Sequence, residues 1–397
     1  MREKITSIAT SIHDDLINLL RDMIAIPSYS GKEGAVIERM KQEMQNLGYD
    51  QVWVDPLGNL LGRIGSGNKV IAIDGHCDTV GVGNPETWKV DPFKGDYRDG
   101  VIYGRGACDQ KSGLASAIYA GKILKEVGMP DCISVFVVAT VLEEDFEGLC
   151  WQYIINEGRI VPEAVLITEP TGLEIKIGQR GRMEIEVKTE GISCHGSAPE
   201  RGKNAIYLIA PVIQEIERLN ERLESKSVLG KGTVTVTDIR STAPSLCAVP
   251  DSATIHLDRR LSAGEKLETA VKEVQDLISV KTAKAKISVP EYEIKSYTGL
   301  AYPARAYYPM WLMDESDPLI HTAAEAHKKM FGEEADIGVW GFSTNGVVTK
   351  GVYDIPTIGF GPGKEEHAHT PDDQVRTDDL LAAMNFYAAF VLEWGEG

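Results

Sequence analysis

The sequence predicts an α/β protein: a mostly parallel sheet covered by helices, interrupted by a smaller α+β domain of ferredoxin-like order βαββαβ. Three observations predict it. Continuous apolar, β-branched runs at Val70–Ile73, Ile133–Leu142 and Ala164–Thr168 alternate with helically spaced segments, the pattern of a sheet buried on both faces. From Gln179-Arg180-Gly181-Arg182 onward the pattern changes to strand, helix, two strands, helix and strand, the split order of a separate unit. After Gly299, long helices and a buried run at Ile355–Phe360 return, so the second unit is read as inserted in the first. The expected divisions are 1–180 and 295–397 for the larger domain and 181–294 for the insert, in a chain of 397 residues that exceeds one small core.

The elements follow in order. Ile5, Ile8, Ile12, Leu16, Leu19 and Met23 recur every three or four residues, which predicts one amphipathic helix stopped by Pro27. Val36, Met40, Met44 and Leu47 share the face of a second, with Gly48 placed at its end. Strands are predicted around Val52–Val54, Asn59–Ile64 and Val70–Ile73, and a helix at Leu114–Val127. The glycines of Tyr103–Gly113 suggest a phosphate loop, but neither GxxxxGK[ST] nor a strand-coupled GxGxxG is present. In the insert, Met183–Thr189, Thr233–Ile239, Ala253–Arg260 and Lys286–Tyr292 read as strands, and Asn204–Leu223 and Lys266–Val280 as helices.

Lys and Arg number 41 against 59 Asp and Glu, a net charge of -18, which argues against nucleic acid as a partner. The six cysteines form no CxxC pair, so a disulfide framework is not expected, and Cys77, Cys108 and Cys194 read as packing residues beside candidate site positions. No signal peptide and no apolar run long enough for a bilayer is read in the sequence. The expectation is a cytoplasmic protein without membrane contact.

The chemistry gathers where apolar strands end. Val70–Ile73 runs into Asp74-Gly75-His76-Cys77-Asp78, and alternation lets His76 and Asp78 point the same way. The imidazole suits a metal ion and the carboxylate suits support of its other ring nitrogen. Asp109 lies in a glycine-rich turn, Glu143 and Glu144 follow another strand, and Glu169 closes a third. Two consecutive glutamates cannot both face one way, so one can bind metal while the other faces substrate. His367 and His369 lie in a loop near the C-terminus. Asp, Glu and His ligands without an all-cysteine set suit Zn²⁺, with Mn²⁺ or Co²⁺ as alternatives.

The set His76-x-Asp78, Gly106-x-x-Asp109, Glu143-Glu144, Thr168-Glu169-Pro170 and Ala368-His369-x-Pro371 resembles the co-catalytic zinc amidohydrolases and peptidases that include acetylornithine deacetylase (ArgE), succinyl-diaminopimelate desuccinylase (DapE), aminoacylase and carboxypeptidase G. Gly178–Glu184, Ser193–Gly202 and Phe342–Gly346 resemble the YgeY branch more narrowly. The resemblance covers essentially the whole chain. It implies a zinc-peptidase-like catalytic domain and a lid and dimerisation domain. It also implies two Zn²⁺ per chain, one on His76 and Glu169, the other on Glu144 and His369, with Asp109 bridging. Asp78 would orient His76, and Glu143 would be the general base that passes a proton from water to the leaving nitrogen. The position of His369 before a small residue and Pro371 favours it over His367 as the ligand.

By the same resemblance His195 would reach into a partner's active site and stabilise the tetrahedral oxyanion, which implies a homodimer built through the inserted domain. Asn204 and Arg259, with Arg260 as the alternative, would hold a substrate carboxylate or assist the oxyanion. Ser343, Thr344 and Asn345 would line the pocket, although Asn345 stands where many relatives have Asp. The implied activity is hydrolysis of a linear C–N bond in a small N-acyl or N-carbamoyl amino-acid derivative. A dipeptidase or carboxypeptidase with the same machinery is the nearest alternative. A non-catalytic metal- or ligand-binding relative is another, and binding alone has no need of Glu143.

Overall fold

The computed structural model describes residues 1–225 and 227–396. Its large sheet has the strand order Gln51–Val54, Leu60–Gly65, Ile133–Thr140, Lys69–His76, Ala164–Ile167, Thr357–Gly359, Ile175–Gln179 and Trp311–Leu312, with Ile337–Trp340 also on Ile175–Gln179. Four inner strands, from Ile133–Thr140 to Thr357–Gly359, are parallel. The sheet is mixed rather than mostly parallel, because antiparallel strands complete it toward both edges. The short Val54-to-Leu60 connection permits only a hairpin, since a parallel neighbour needs a longer crossover.

Parallel pairing sets the site. Ile71 lies opposite both Val135 and Ala164, and His76 opposite Thr140. The segments following these strands therefore all emerge at one carboxyl edge, where α/β sheets collect ligands. The helices Lys111–Val127 and Thr377–Glu396 cover the sheet with buried apolar faces. A Cβ on Gly113 would lie 2.1 Å from the carbonyl oxygen of Thr168, so the missing side chain brings the helix against the strand end that carries Glu169.

The first predicted helix is two, Arg2–Ser11 and His13–Ala25, meeting at Ile12. The hydroxyls of Thr10 and Ser11 donate back to the carbonyls of Thr6 and Ile8 at 2.8 and 2.7 Å, a competition with the backbone ladder that bends helices. The apolar stripe continues across the bend, which is why periodicity alone reads one element.

The inserted unit follows the split βαββαβ order. Its sheet runs Thr233–Thr242, Ser252–Leu261, Gly181–Glu190, Lys286–Ser288 and buries its own apolar core, including Met183, Ile185, Ile209, Val212 and Ile255. The predicted helix 266–280 divides into Leu267–Gln275 and Ile278–Ala283. The predicted last strand also divides. Lys286–Ser288 pairs with Gly181–Glu190, whereas Glu291–Lys295 leaves to form a hairpin with Ala301–Arg305. Pro290 stands between them and has no N–H to continue the ladder. No helix among the described residues is long and apolar enough to cross a membrane.

Candidate metal centre

Two nitrogen-and-oxygen clusters meet at the carboxyl edge of the large sheet. Nδ1 of His76 lies 2.9 Å from the backbone carbonyl oxygen of Asp78. A carbonyl only accepts, so Nδ1 carries the proton and Nε2 faces the cluster. Nε2 is 3.0 Å from Asp109 Oδ1, 3.4 Å from Glu169 Oε1 and 3.8 Å from Glu143 Oε2. The other oxygen of Asp109, Oδ2, is 3.1 Å from His369 Nε2, which is 3.0 Å from Glu144 Oε2. Asp109 thus stands between a His76–Glu169 side and a His369–Glu144 side, one oxygen toward each.

The glutamate pair is held by a turn whose backbone donors are all taken. Asn59 Oδ1 accepts from Val141 N, Glu33 Oε1 from Leu142 N, and Asp78 Oδ1 and Oδ2 from Glu143 N and Glu144 N, at 3.1–3.2 Å. Leu142 has φ 66°, a left-handed conformation that costs a branched residue about 1–2 kcal/mol. These acceptors offset that cost, and the sharp turn sends Glu143 toward His76 and Glu144 toward His369. The expected contact of the Asp78 carboxylate with His76 is not made: Oδ1 is 3.6 Å from Nδ1, beyond hydrogen-bond reach. The two amides of the turn and the Ser30 hydroxyl, at 2.7 Å, occupy that carboxylate instead.

Asp373 holds the Asp109 loop in the same way. It accepts from Gly106 N, Cys108 N and Arg105 Nη1 at 2.8, 2.7 and 3.0 Å. Cys77 and Cys108 are buried free thiols.

The electrostatics are those of a concentrated negative site. Burial pushes the Glu169 and Glu143 carboxyls well above their ordinary range, and neighbouring carboxylates push further. Burial and the Asp109 charge raise Glu144 as well. Burial also works against ionised Asp109, but hydrogen bonds with His369 and His76 outweigh it and hold that carboxyl low. Hydrogen bonds to Asp109 and Glu144 raise His369 to about 10. Burial opposes charge on His76, yet Glu169, Glu143 and Asp109 hold it well above the usual imidazole range.

A divalent cation would meet that same field. Glu143 Oε1 and Glu169 Oε2 are buried without a hydrogen-bond partner, a costly state for anionic oxygens. His76, Glu143 and Glu169 lie close enough to converge on one ion, as do His76, Asp109 and Glu144; with one free nitrogen on His76, these overlapping groups are alternatives for the ion on the His76 side. The donor set fits metal binding on chemistry as well as on geometry.

A cavity of about 460 Å³ opens over this cluster. Its remaining wall includes Glu147, Arg182, Arg260, Phe342, Ser343 and Glu365. Of the residues expected to bind substrate, several lie elsewhere. Arg259 is buried, with Nη2 2.6 Å from Glu265 and 3.1 Å from Glu273. Strand alternation puts it on the helix-facing side and Arg260 on the cavity side, so Arg260 corrects that expectation. Asn204 caps the helix Ala205–Arg222, its side chain accepting from Ile206 N and Tyr207 N. Asn345 is buried, donating to Asp74 and Thr140 and accepting from Gly148 N. Thr344 is buried and donates to Gln179. From this segment Phe342 and Ser343 reach the cavity wall. His367 faces Gln374 in a separate, smaller cavity. His195 is exposed on the inserted unit, bonded to Ser197, and does not line the cavity of its own chain.

Glu147 and Arg182 carried no signal as isolated charges. Arg182 was findable from register: it lies directly opposite Arg260 in the pairing of Gly181–Glu190 with Ser252–Leu261.

The site can be set beside known proteins. Residues 72–393 match peptidase family M20/M25/M40. The chain is 47% identical over 380 residues to the uncharacterized protein YgeY of Escherichia coli K12, covering 96% of this chain and 94% of that one. It is 24% identical over 410 residues to the succinyl-diaminopimelate desuccinylase of Ehrlichia chaffeensis, covering 96% and 98%. Among solved structures, the Bacillus subtilis YxeP protein, described as a dinuclear metal-binding peptidase of the M20 family, superposes with a TM-score of 0.71 at 16% identity, covering 98% and 99%. With the family match spanning most of its length, the chain belongs to peptidase family M20/M25/M40, a family of hydrolytic enzymes.

Proposed function

We propose that this enzyme hydrolyses the linear amide bond of a small N-acyl or N-carbamoyl amino-acid derivative. The observation that carries the reading is Asp109 standing between two histidine–glutamate pairs, with the buried carboxylate of Glu143 beside them. His76 and Glu169 would hold one divalent cation and Glu144 and His369 a second, with Asp109 shared; Zn²⁺ suits these donors, and Mn²⁺ and Co²⁺ share them. Bound there, the cations would supply Lewis acidity toward the scissile carbonyl and make water a stronger acid.

The chain's own residues do the rest. Glu143 accepts a proton as water oxygen adds to the carbonyl carbon, then returns it to the nitrogen as the C–N bond breaks. Burial raises its carboxyl, and with it its affinity for that proton. Arg260 and Ser343, on the cavity wall, orient the substrate. Asp78 positions Glu143 and Glu144 through their amides.

Residues 181–294 are proposed to act as lid and dimerisation domain of a homodimer, with His195 serving the partner's cavity as an oxyanion donor. In support, His195 is exposed and is not part of its own cavity lining, and Thr233–Thr242 is an edge strand with one side of its ladder open among the described residues. Six free cysteines are in keeping with a cytoplasmic enzyme.

The test is a panel of N-acetyl, N-succinyl and N-carbamoyl amino acids and dipeptides, run on protein of measured metal content. Turnover of the acylated or carbamoylated compounds supports the reading; turnover of dipeptides alone would make the enzyme a peptidase. Glu143→Gln is expected to retain its metals and lose most turnover, on the order of the 10²–10⁴-fold contributed by general acid–base catalysis. Near-wild-type turnover of that variant removes Glu143 as the base.

A further inference from the structure

We infer that Gln179 is a positioning residue that fixes the hydroxyl of Ser343 as a hydrogen-bond donor toward the cavity, an inference that rests on the amidohydrolase reading above for what the donor serves. Gln179 ends the strand Ile175–Gln179, immediately before the inserted unit. It is wholly buried and does not line the cavity itself. Its side chain reaches instead to the segment that carries Phe342 and Ser343 onto the cavity wall.

Each link to that segment has a forced direction. Gly346 N, a backbone amide, can only donate, and it donates to Thr344 Oγ1 at 3.1 Å. Thr344 is fully buried, and its own proton has one acceptor among the described residues, Gln179 Oε1 at 2.6 Å. Turning the Gln179 amide over would put NH₂ where that proton must go and strand a buried hydroxyl, a costly state. The amide is therefore fixed with Nε2 toward Ser343, 3.0 Å from Oγ. Nε2 only donates, so Ser343 accepts there and its single proton must leave in another direction. Among the described residues no acceptor takes that proton, and Ser343 lines the cavity. The order Gly346, Thr344, Gln179, Ser343 thus delivers one unclaimed O–H donor to the cavity, each bond polarising the next.

Ser343 therefore selects for a substrate oxygen that accepts a hydrogen bond at that wall, and against an N–H or O–H aimed at the same place, where donor would meet donor. Glutamate at residue 179 would do the opposite. Its two oxygens accept from both Thr344 and Ser343, which reverses the Ser343 proton and turns lone pairs toward the cavity. An amide and a carboxylate of nearly the same shape thus give opposite hydrogen bonding at a wall that residue 179 does not touch.

Neutron diffraction from crystals exchanged into D₂O reads the direction without any substrate. A deuteron on Ser343 Oγ aimed into the cavity and one on Thr344 Oγ1 aimed at Gln179 are expected; a Ser343 deuteron on the line to Gln179 overturns the inference. The consequence is read from kcat and KM for N-acetyl-, N-succinyl- and N-carbamoyl-methionine. The proteins are metal-loaded wild type, Ser343→Ala, Gln179→Glu and the double variant. Ser343→Ala should lower kcat/KM ~2–10-fold, the worth of one neutral hydrogen bond. Gln179→Glu should lower it ~10–100-fold, because an acceptor then faces an acceptor. The same substitution should cost at least ~5-fold less once Ser343 is alanine. Equal losses in the two backgrounds would mean a structural or purely electrostatic role for Gln179 and overturn the inference. Gln179→Met adds no charge and frees the hydroxyl to rotate. It should lose no more than Ser343→Ala and nothing further beside it, which keeps the test should the glutamate variant fail to fold. Hydrolysis of none of the three compounds, with the deuterons as expected, would defeat the amidohydrolase reading and leave the assignment of Gln179 standing.

Discussion

Replacing Asp78 with asparagine separates two roles that the same residue could play. If its carboxylate oriented His76, the variant would disturb the imidazole. In the structure the imidazole instead bonds to the backbone carbonyl of residue 78, which asparagine retains. What changes is the turn. Asp78 Oδ1 accepts from Glu143 N, and Oδ2 from Glu144 N and the Ser30 hydroxyl. Asparagine keeps one acceptor oxygen and turns the other into an NH₂ donor. Only the Ser30 hydroxyl can reverse its role and accept from that NH₂, so the NH₂ should settle on the Oδ2 side. The Glu144 amide then loses its acceptor. Losing a bond to a charged acceptor costs about 1.5–3 kcal/mol, and Glu144 is expected to shift more than Glu143. A displacement of about 1 Å at a reacting centre can cost 10²-fold in rate. Asp78→Asn should therefore show a Tm lower by several degrees, metal content reduced toward one ion per chain, and turnover down by roughly 10²-fold. Calorimetry, elemental analysis and the substrate panel read these separately. Wild-type metal content and turnover in a folded variant would refute the turn-anchoring role.

Two further outcomes follow from buried charge. Lys111 is buried and donates to the carbonyls of Met23 and Ile26, and burial lowers its amine from 10.5 to about 8. Between those pH values the unfolded chain binds the extra proton, so this residue's contribution to stability rises with pH there, by up to about 3 kcal/mol at 1.36 kcal/mol per pH unit. Denaturant unfolding of wild type against Lys111→Met at pH 8 and 10 checks it, and a stability difference independent of pH would contradict it. Chelation of the cations should lower Tm more at alkaline than at acidic pH, because the raised Glu143 and Glu169 carboxyls take up protons as pH falls and relieve repulsion in the metal-free site. An equal drop at both pH values, measured by scanning calorimetry, would contradict this.

The sequence was most legible where one pattern served one purpose. Val70–Ile73, Ile133–Leu142 and Ala164–Thr168 read as buried strands because parallel strands inside a sheet carry no polar face, and their ends located the candidate ligands. It was less legible where a side chain's role depends on a remote backbone. Asp78 next to His76 invites a carboxylate–imidazole reading, but the amides that take the carboxylate lie 65 and 66 residues away. Asp373 anchors a loop some 265 residues distant, a relation absent from local spacing. Arg259 and Arg260 were indistinguishable as neighbouring arginines until register assigned their faces. Asn345 and Thr344 lay in the right segment, but their polar groups close buried hydrogen bonds instead of facing the cavity.

These misplacements share a physical origin that bears on how the enzyme is divided. The cluster around Asp109 draws its geometry from the carboxyl edge of the large sheet, where His76 ends a strand and Glu143, Glu144 and Glu169 follow strands, while Asp109 and His369 come from loops beside it. The cavity's two arginines come instead from Gly181–Glu190 and Ser252–Leu261, in the inserted unit with its own core. A change at residue 182 or 260 can therefore alter the cavity wall without moving Asp109 or Glu143. A change at Asp78 or Glu33 acts on the glutamate turn without touching those arginines. Separate rigid supports let substrate preference vary while the hydrolytic geometry is kept, provided the two units hold a fixed distance when substrate bridges them. On this argument Arg260→Ala should change which compounds of the substrate panel turn over and leave the metal content at the wild-type value, and loss of metal from the folded variant, read by elemental analysis, would count against separate supports.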